Sequence, residues 1–369
     1  IGKGQVKGNP VPIAFCIGLS TALTMLLSID AMPVVTTVAQ RVATGLDSFA
    51  LLAIPFFILA GQLMNHGGIA QRLVDFAKAL LGMLPGGLAY VNIVAAMLFG
   101  AVSGSAVAAA SAVGGFMGPQ MEEEGYEKNF SAAVNITSAT TGLLIPPSNV
   151  LIVYSLASGG VSIAALFLAG YLPGILVVLS LMAVAGVWAY RNDYPTSDRV
   201  PLKTALWRFI DALPSLFMLV VVIGGIVAGI FTATEAAAVA VLYALVLAFV
   251  YREITWRDLP DILLDTVTTS AIVLLLVGTS IAMSWVLSYE NIPQGVASAL
   301  VAMTDSTFVL LLIINVMLLA VGTFMDITPA VLIFTPIFLP IVMELGLDPI
   351  HFGIMLVLNL CVGLCTPPV

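Results

Sequence analysis

The chain has 369 residues, of which 60% are hydrophobic and only 9% charged, for a net charge of −8. Its mean hydropathy of +1.13 excludes a soluble globular domain, which covers its surface with roughly a quarter charged residues. The three cysteines, Cys16, Cys361 and Cys365, all lie in apolar runs; this excludes a disulfide framework and leaves buried small side chains.

The apolar stretches have helix length, and the alternating strands of about 10 residues that build barrels are absent. An all-α polytopic membrane protein is expected, with the lipid bilayer as its medium and no nucleic acid as partner. No cleavable signal peptide is visible. The sequence begins at Ile1 rather than Met, so residues are expected to precede it.

In chain order, spans are expected near residues 12–29 and 49–64. In GGIAQRLVDFAKALLG, residues 67–82, Ile69, Leu73, Phe76, Ala77 and Leu80 repeat at helical spacing opposite Arg72, Asp75 and Lys78. That pattern predicts an interfacial helix. Residues 86–118 carry small residues at their middle and Gly at their ends. Each half is too short to cross a bilayer, which predicts a re-entrant hairpin with Ser103-Gly104-Ser105 at its tip. One long helix with a Gly-rich packing face is the other reading. Beyond the charged loop MEEEGYEKN comes GLLIPPSNV, residues 142–150, in which Pro146 and Pro147 break a membrane helix. Further spans are expected near 173–190, 213–229 and 233–251.

The second half repeats the first at an ungapped offset of 221, which lays Pro119 on Pro340, Glu123 on Glu344, Gly125 on Gly346, Gly142 on Gly363 and Pro146-Pro147 on Pro367-Pro368. Matches of Gly, Pro and acidic residues repeat backbone geometry. VGTFMDITPAV should therefore form a second tip, in a hairpin over 307–343. All Lys and Arg precede residue 258, and counting spans gathers nearly all of them on one face, with Arg41 opposite. That face should be cytoplasmic, as should the N-terminus. The hairpins then enter from opposite faces: an inverted-topology repeat, 1–211 and 212–369, of the kind found in secondary transporters.

The prolines have a chemical use. Carbonyls near 141–144 lose their helical partners, and such groups persist at membrane depth only where protein or a wet cavity satisfies them. A cation suits the carbonyls, and the free amides of the next half-helix, starting at Ser148, suit an anion. Ser103, Ser105 and Gly142 are expected to border one Na⁺ site; Thr323, Asp326, Gly363 and Thr366 the other. Ser105, Ala106, Pro147, Ser148, Asn149 and Thr328 are expected around a carboxylate substrate, because no Lys or Arg lies in the hairpins or breaks beside them. Asp326 is an intramembrane carboxylate and so a functional candidate; capping of the following helix is the competing role for it. Asn135 and Asn359 either bind ligand or bond backbone. Glu235 is expected to cap a helix, and His66 and His351 to lie at the surface. An intramembrane protease would need a second acid near Asp326, and none is found.

The segments IPFFILAGQLMNHGGI (54–69), SGSAVAAASAVGGFMGPQM (103–121), GLLIPPSNVLIVYS (142–155), FTATEAAAVA (231–240), MDITPAVLIFTPIFLP (325–340) and DPIHFGIMLVLNLCVGLCTPPV (348–369) resemble the large membrane subunit of tripartite ATP-independent periplasmic (TRAP) transporters, the DctM-like family. The resemblance implies an elevator-type carrier coupled to Na⁺ in the bacterial inner membrane. It also implies a small TRAP membrane subunit and a periplasmic substrate-binding protein as partners. The implied substrate is an organic acid: a C4-dicarboxylate, sialic acid or a sugar acid. A standalone Na⁺/carboxylate symporter is the alternative. Many relatives carry an Asp just after the first tip, where this chain has AVAAASAV. Relatives also continue past TPPV, which implies that further residues follow Val369.

Overall fold

The computed structural model describes residues 13–194, 201–304 and 306–366. The expected break at Pro367-Pro368 lies outside them. Every regular element among the described residues is helical, and six helices are long and apolar enough to cross a membrane. In chain order, α1 (Ile13–Ser28) and α2 (Ala31–Leu46) precede α3 (Ala53–His66) and α4 (Ile69–Leu81). Helix α2 was not among the expected spans. Pro33, Gln40 and Arg41 interrupt its apolar pattern, and it buries only Val34, against Met25 and Val286.

Of the face its spacing predicts, helix α4 buries Ile69, Leu73 and Ala77, together with Val74 and Ala79, while Leu80 is exposed. Arg72 ties its polar edge down. The guanidinium reaches Asp211 at 3.3 Å, donates to the Gly68 carbonyl at 3.0 Å and stacks 3.7 Å over the Tyr251 ring.

The segment expected to be a hairpin is α5 (Gly87–Ser103) and α6 (Ala106–Glu123). Gly104, at φ 63°, turns the chain in the left-handed region, so one continuous helix is excluded. The second arm runs past residue 118 because Pro119 forfeits only the bond to the exposed Gly115 carbonyl. Next come α7 (Lys128–Ala139), a 3-10 turn (Thr140–Leu143) and α8 (Asn149–Ala157), so the helix does break at the prolines. Helix α9 (Ile163–Arg191) starts before the expected residue 173. Ser162 caps it, accepting from the Ala165 amide at 3.3 Å, and Pro173 sits inside. Helix α10 (Leu202–Val227) also starts before the expected 213. Its amphipathic first turns dock on α4, with Phe209 against Phe76 at 5.5 Å between ring centres. Helix α11 (Ala233–Val250) opens on a capping box in which Thr232 and Glu235 each bond the other's backbone, the role expected of Glu235.

The remaining elements are α12 (Leu259–Tyr289), α13 (Ile292–Met303), α14 (Thr307–Gly322), α15 (Ile327–Glu344) and α16 (Pro349–Leu364). Helices α6 and α15 span 106–123 and 327–344, and α7 and α16 start at 128 and 349. All three boundaries keep the offset of 221. The helix crossings recur too. A Cβ on Gly142 would lie 2.3 Å from the Gly100 Cα, and one on Gly363 would lie 2.6 Å from the Gly322 Cα. Backbone packs on backbone at both crossings. Beside them, in residues near Gly142 and Gly363 in sequence, Cys361 donates its S–H to the Thr140 carbonyl at 3.6 Å, and the Thr140 hydroxyl lies 3.7 Å from the Cys365 sulfur. Thr140 and Cys361 are counterparts under the offset.

Candidate functional site

Both hairpin tips line one cavity of about 360 Å³, which also takes in the start of α8. Three chain segments far apart in sequence thus converge on it. At the first tip, Ser103 ends α5, and its hydroxyl donates to the Ser105 carbonyl at 3.4 Å. Ser105 caps α6, its Oγ accepting from the Ala108 amide at 3.2 Å. Asn149, the first residue of α8, lies against Gly104, where an added Cβ would meet its Nδ2 at 2.4 Å. The Asn149 Oδ1 is buried without a protein partner.

The second tip has three residues, Thr323, Phe324 and Met325, where the first has Gly104 alone. Asp326 caps α15 and accepts from the Thr328 amide at 3.1 Å. Its carboxylate is exposed to the cavity it lines. The capping role open to Asp326 is the one its geometry performs, and a free carboxylate oxygen remains.

Six of the expected residues, Ser103, Ser105, Ala106, Asn149, Asp326 and Thr328, line this cavity. Gly142, Pro147, Ser148, Thr323, Gly363 and Thr366 stand outside its lining. Ser148 is fully buried, and its hydroxyl is already used: it donates to the Leu143 carbonyl, which Pro147 leaves unmatched, and accepts from the Leu151 amide. The Thr323 and Thr366 hydroxyls donate to the Ala320 and Gly363 carbonyls at 2.7 and 2.6 Å. A hydroxyl that gives its proton to backbone still offers lone pairs to a cation. Asn135 donates to the Ala110 carbonyl at 2.9 Å, and Asn359 to Asn315 at 2.6 Å; both amides bond within the protein. His66 and His351 are exposed.

The donors at the tips are hydroxyl, amide and carboxylate oxygens, the hard ligands that suit an alkali or alkaline-earth ion. The orphaned Asn149 oxygen is a donor of this kind. Sequence reasoning passed over the facing wall. Gln62 and Asn65 on α3 and Thr269 on α12 also line the cavity. The one signal for them is a pair of amides three residues apart on an otherwise apolar helix.

Paired helical hairpins meeting a broken helix at one cavity, within a bundle of membrane-length helices, define a polytopic membrane carrier. The chain belongs to the family described as Tripartite ATP-independent periplasmic transporter, DctM component, which it matches over residues 9–369. It is 58% identical to "Uncharacterized protein YgiK" of Salmonella typhimurium, over 97% of this chain and 82% of that protein. It is 40% identical to the C4-dicarboxylate TRAP transporter large permease protein DctM of Rhodobacter capsulatus, over 97% and 84%. The fold is also that of the Alcanivorax borkumensis YdaH transporter, at a TM-score of 0.58 and 14% identity over 96% of this chain and 87% of that one. The protein is thus a DctM-like large membrane subunit, a permease component and not an enzyme.

Proposed function

We propose that this subunit is the carrier of a Na⁺-coupled importer of an organic acid in the bacterial inner membrane. A periplasmic binding protein delivers the acid, and a small membrane subunit is the second partner. The N-terminus lies on the cytoplasmic side, and 1–211 and 212–369 are the two inverted repeats, each with one re-entrant hairpin. The observation that carries this reading is the convergence of both tips and the α8 start on one cavity.

Na⁺ is cargo here. Ser103 and Ser105 hold one ion with the Gly142 region, and Asp326 with Thr323, Gly363 and Thr366 holds another. The carboxylate of the acid lies at the amides of Ala106 and of the segment from Pro147 to Asn149, with Thr328 nearby. Helix N-termini favour an anion by about 0.3–2 kcal/mol each, and a bound cation adds to this. An elevator motion then carries hairpins and broken helices past α3 and α12, exposing the cavity to either side in turn.

The test is uptake of C4-dicarboxylates, sialic acid and sugar acids into proteoliposomes holding both membrane subunits. Uptake of one acid is expected only with a Na⁺ gradient and the binding protein. Uptake that ignores Na⁺ sinks the coupling, and uptake without the binding protein makes the chain a standalone symporter.

A further inference from the structure

We infer that the cavity selects a polyhydroxylated monocarboxylate, a sugar acid, over a dicarboxylate, and that Gln62 and Asn65 read its hydroxyls. The inference rests on the carrier reading above and narrows it. Among the described residues, the lining is apolar for the most part, and its polar side chains are neutral hydrogen-bonding groups and one carboxylate, with no Lys, Arg or His. An aliphatic dicarboxylate brings a second full negative charge and few other polar groups. It would need two places of positive potential and would leave most of those neutral groups unmatched.

The two tips differ in the charge they can tolerate. At the first, the cap is the neutral Ser105, so the amides that begin α6 keep their positive potential. At the second, the cap is Asp326, whose own negative charge already sits on the amides that begin α15. The first tip therefore favours a carboxylate more than the second, where a Na⁺ held at Asp326 only balances the charge already there. A hydroxyl can donate to the Asp326 oxygen that the Thr328 amide leaves free.

The wall formed by α3 fits the same ligand. Gln62 and Asn65 present both donors and acceptors, and among the described residues no protein group hydrogen-bonds either amide side chain. Gln62 is partly buried and Asn65 exposed. Pre-placed, uncommitted amides match a chain of secondary hydroxyls. A site built around such groups discriminates against analogues that lack them, because its polar groups then lose their partners.

The experiment is thermal melting of the full-length subunit with its small partner, in Na⁺, titrated with gluconate, hexanoate or succinate. These share a carboxylate and differ in hydroxyls or in a second charge. Gluconate should raise the Tm at a concentration at least about tenfold below either of the others. Gln62→Leu with Asn65→Leu should erase most of that advantage while leaving the shift caused by Na⁺ alone. Succinate matching gluconate overturns the charge argument, and hexanoate matching it overturns the hydroxyl argument. An unchanged preference in the Leu variant overturns the roles of Gln62 and Asn65. If no acid shifts the Tm, uptake separates the cases: preferred uptake of gluconate upholds the inference, uptake of succinate or hexanoate at least as readily overturns it alone, and no uptake of any acid overturns the carrier reading as well.

Discussion

A Cβ on Gly142 would lie 2.3 Å from the Gly100 Cα and 2.4 Å from its carbonyl carbon. Both are backbone atoms of a packed helix, so neither yields by a change of rotamer. Gly142→Ala is therefore expected to cost about 1–3 kcal/mol, as overpacking does, and to lower the Tm. Gly115→Ala is its control, because nothing lies within 4 Å of a Cβ there, and helix propensity alone favours alanine by about 1 kcal/mol. Parallel melts of the two variants check this; equal effects would mean that the crossing does not depend on the missing side chain. Ser105 and Asp326 make a different point at the same scale. Each is the N-cap of its second arm, and each accepts one amide proton at 3.2 or 3.1 Å. The local geometry is shared, but one cap is neutral and the other carries a full charge.

The break between α7 and α8 is built so that little is left unpaired. Pro147 removes the proton that the Leu143 carbonyl would have received, and the buried Ser148 hydroxyl replaces it while capping α8. Ser148→Ala loses a cap, worth about 1 kcal/mol, and strands a buried carbonyl, at about 1–3 kcal/mol. Ser148→Thr keeps the oxygen and should stay nearer the parent. Chemical or thermal melts decide it, and an Ala variant as stable as the parent would show that the hydroxyl does not bridge the break. Much of this element was legible in the sequence, because Gly and Pro punctuate backbone by local sterics. The small residues and Gly ends located the first hairpin, and the repeated Gly, Pro and acidic positions located the second. Helix α2 escaped because an amphipathic helix carrying Pro33, Gln40 and Arg41 lacks the pattern of a span. Helices α9 and α10 were read short because Pro173 and Pro214 lie inside them, held by packing that no local rule reports. The α3 wall of the cavity escaped for a related reason. Which face of α3 meets a tip some 40 residues on, and another some 260 on, is decided by tertiary packing.

For the molecule as a whole, the elevator reading requires the break after α7 and the end of α16 to travel together. Thr140 and Cys365 offer a way to check, since the Thr140 hydroxyl lies 3.7 Å from the Cys365 sulfur. A Thr140→Cys substitution, with Cys16 replaced by Ser, should form a disulfide on oxidation after a shift of about 1–2 Å to bonding distance. Uptake should stay within about twofold of the reduced protein if both segments belong to one rigid body. Loss of uptake that reductant restores would show that they part during the cycle. Thiol labelling before and after oxidation measures whether the bridge formed. The same contact bears on how such a chain can change over generations. Most positions in a duplicated protein drift apart freely, as the two tips have done. Thr140 has its counterpart under the offset of 221 for a neighbour, so a change at Thr140 alters the surroundings of Cys361, and the reverse. Contacting residues do not contribute additively. Divergence is thus easiest at the tips, where the caps already differ in charge, and most constrained where Thr140 meets Cys361.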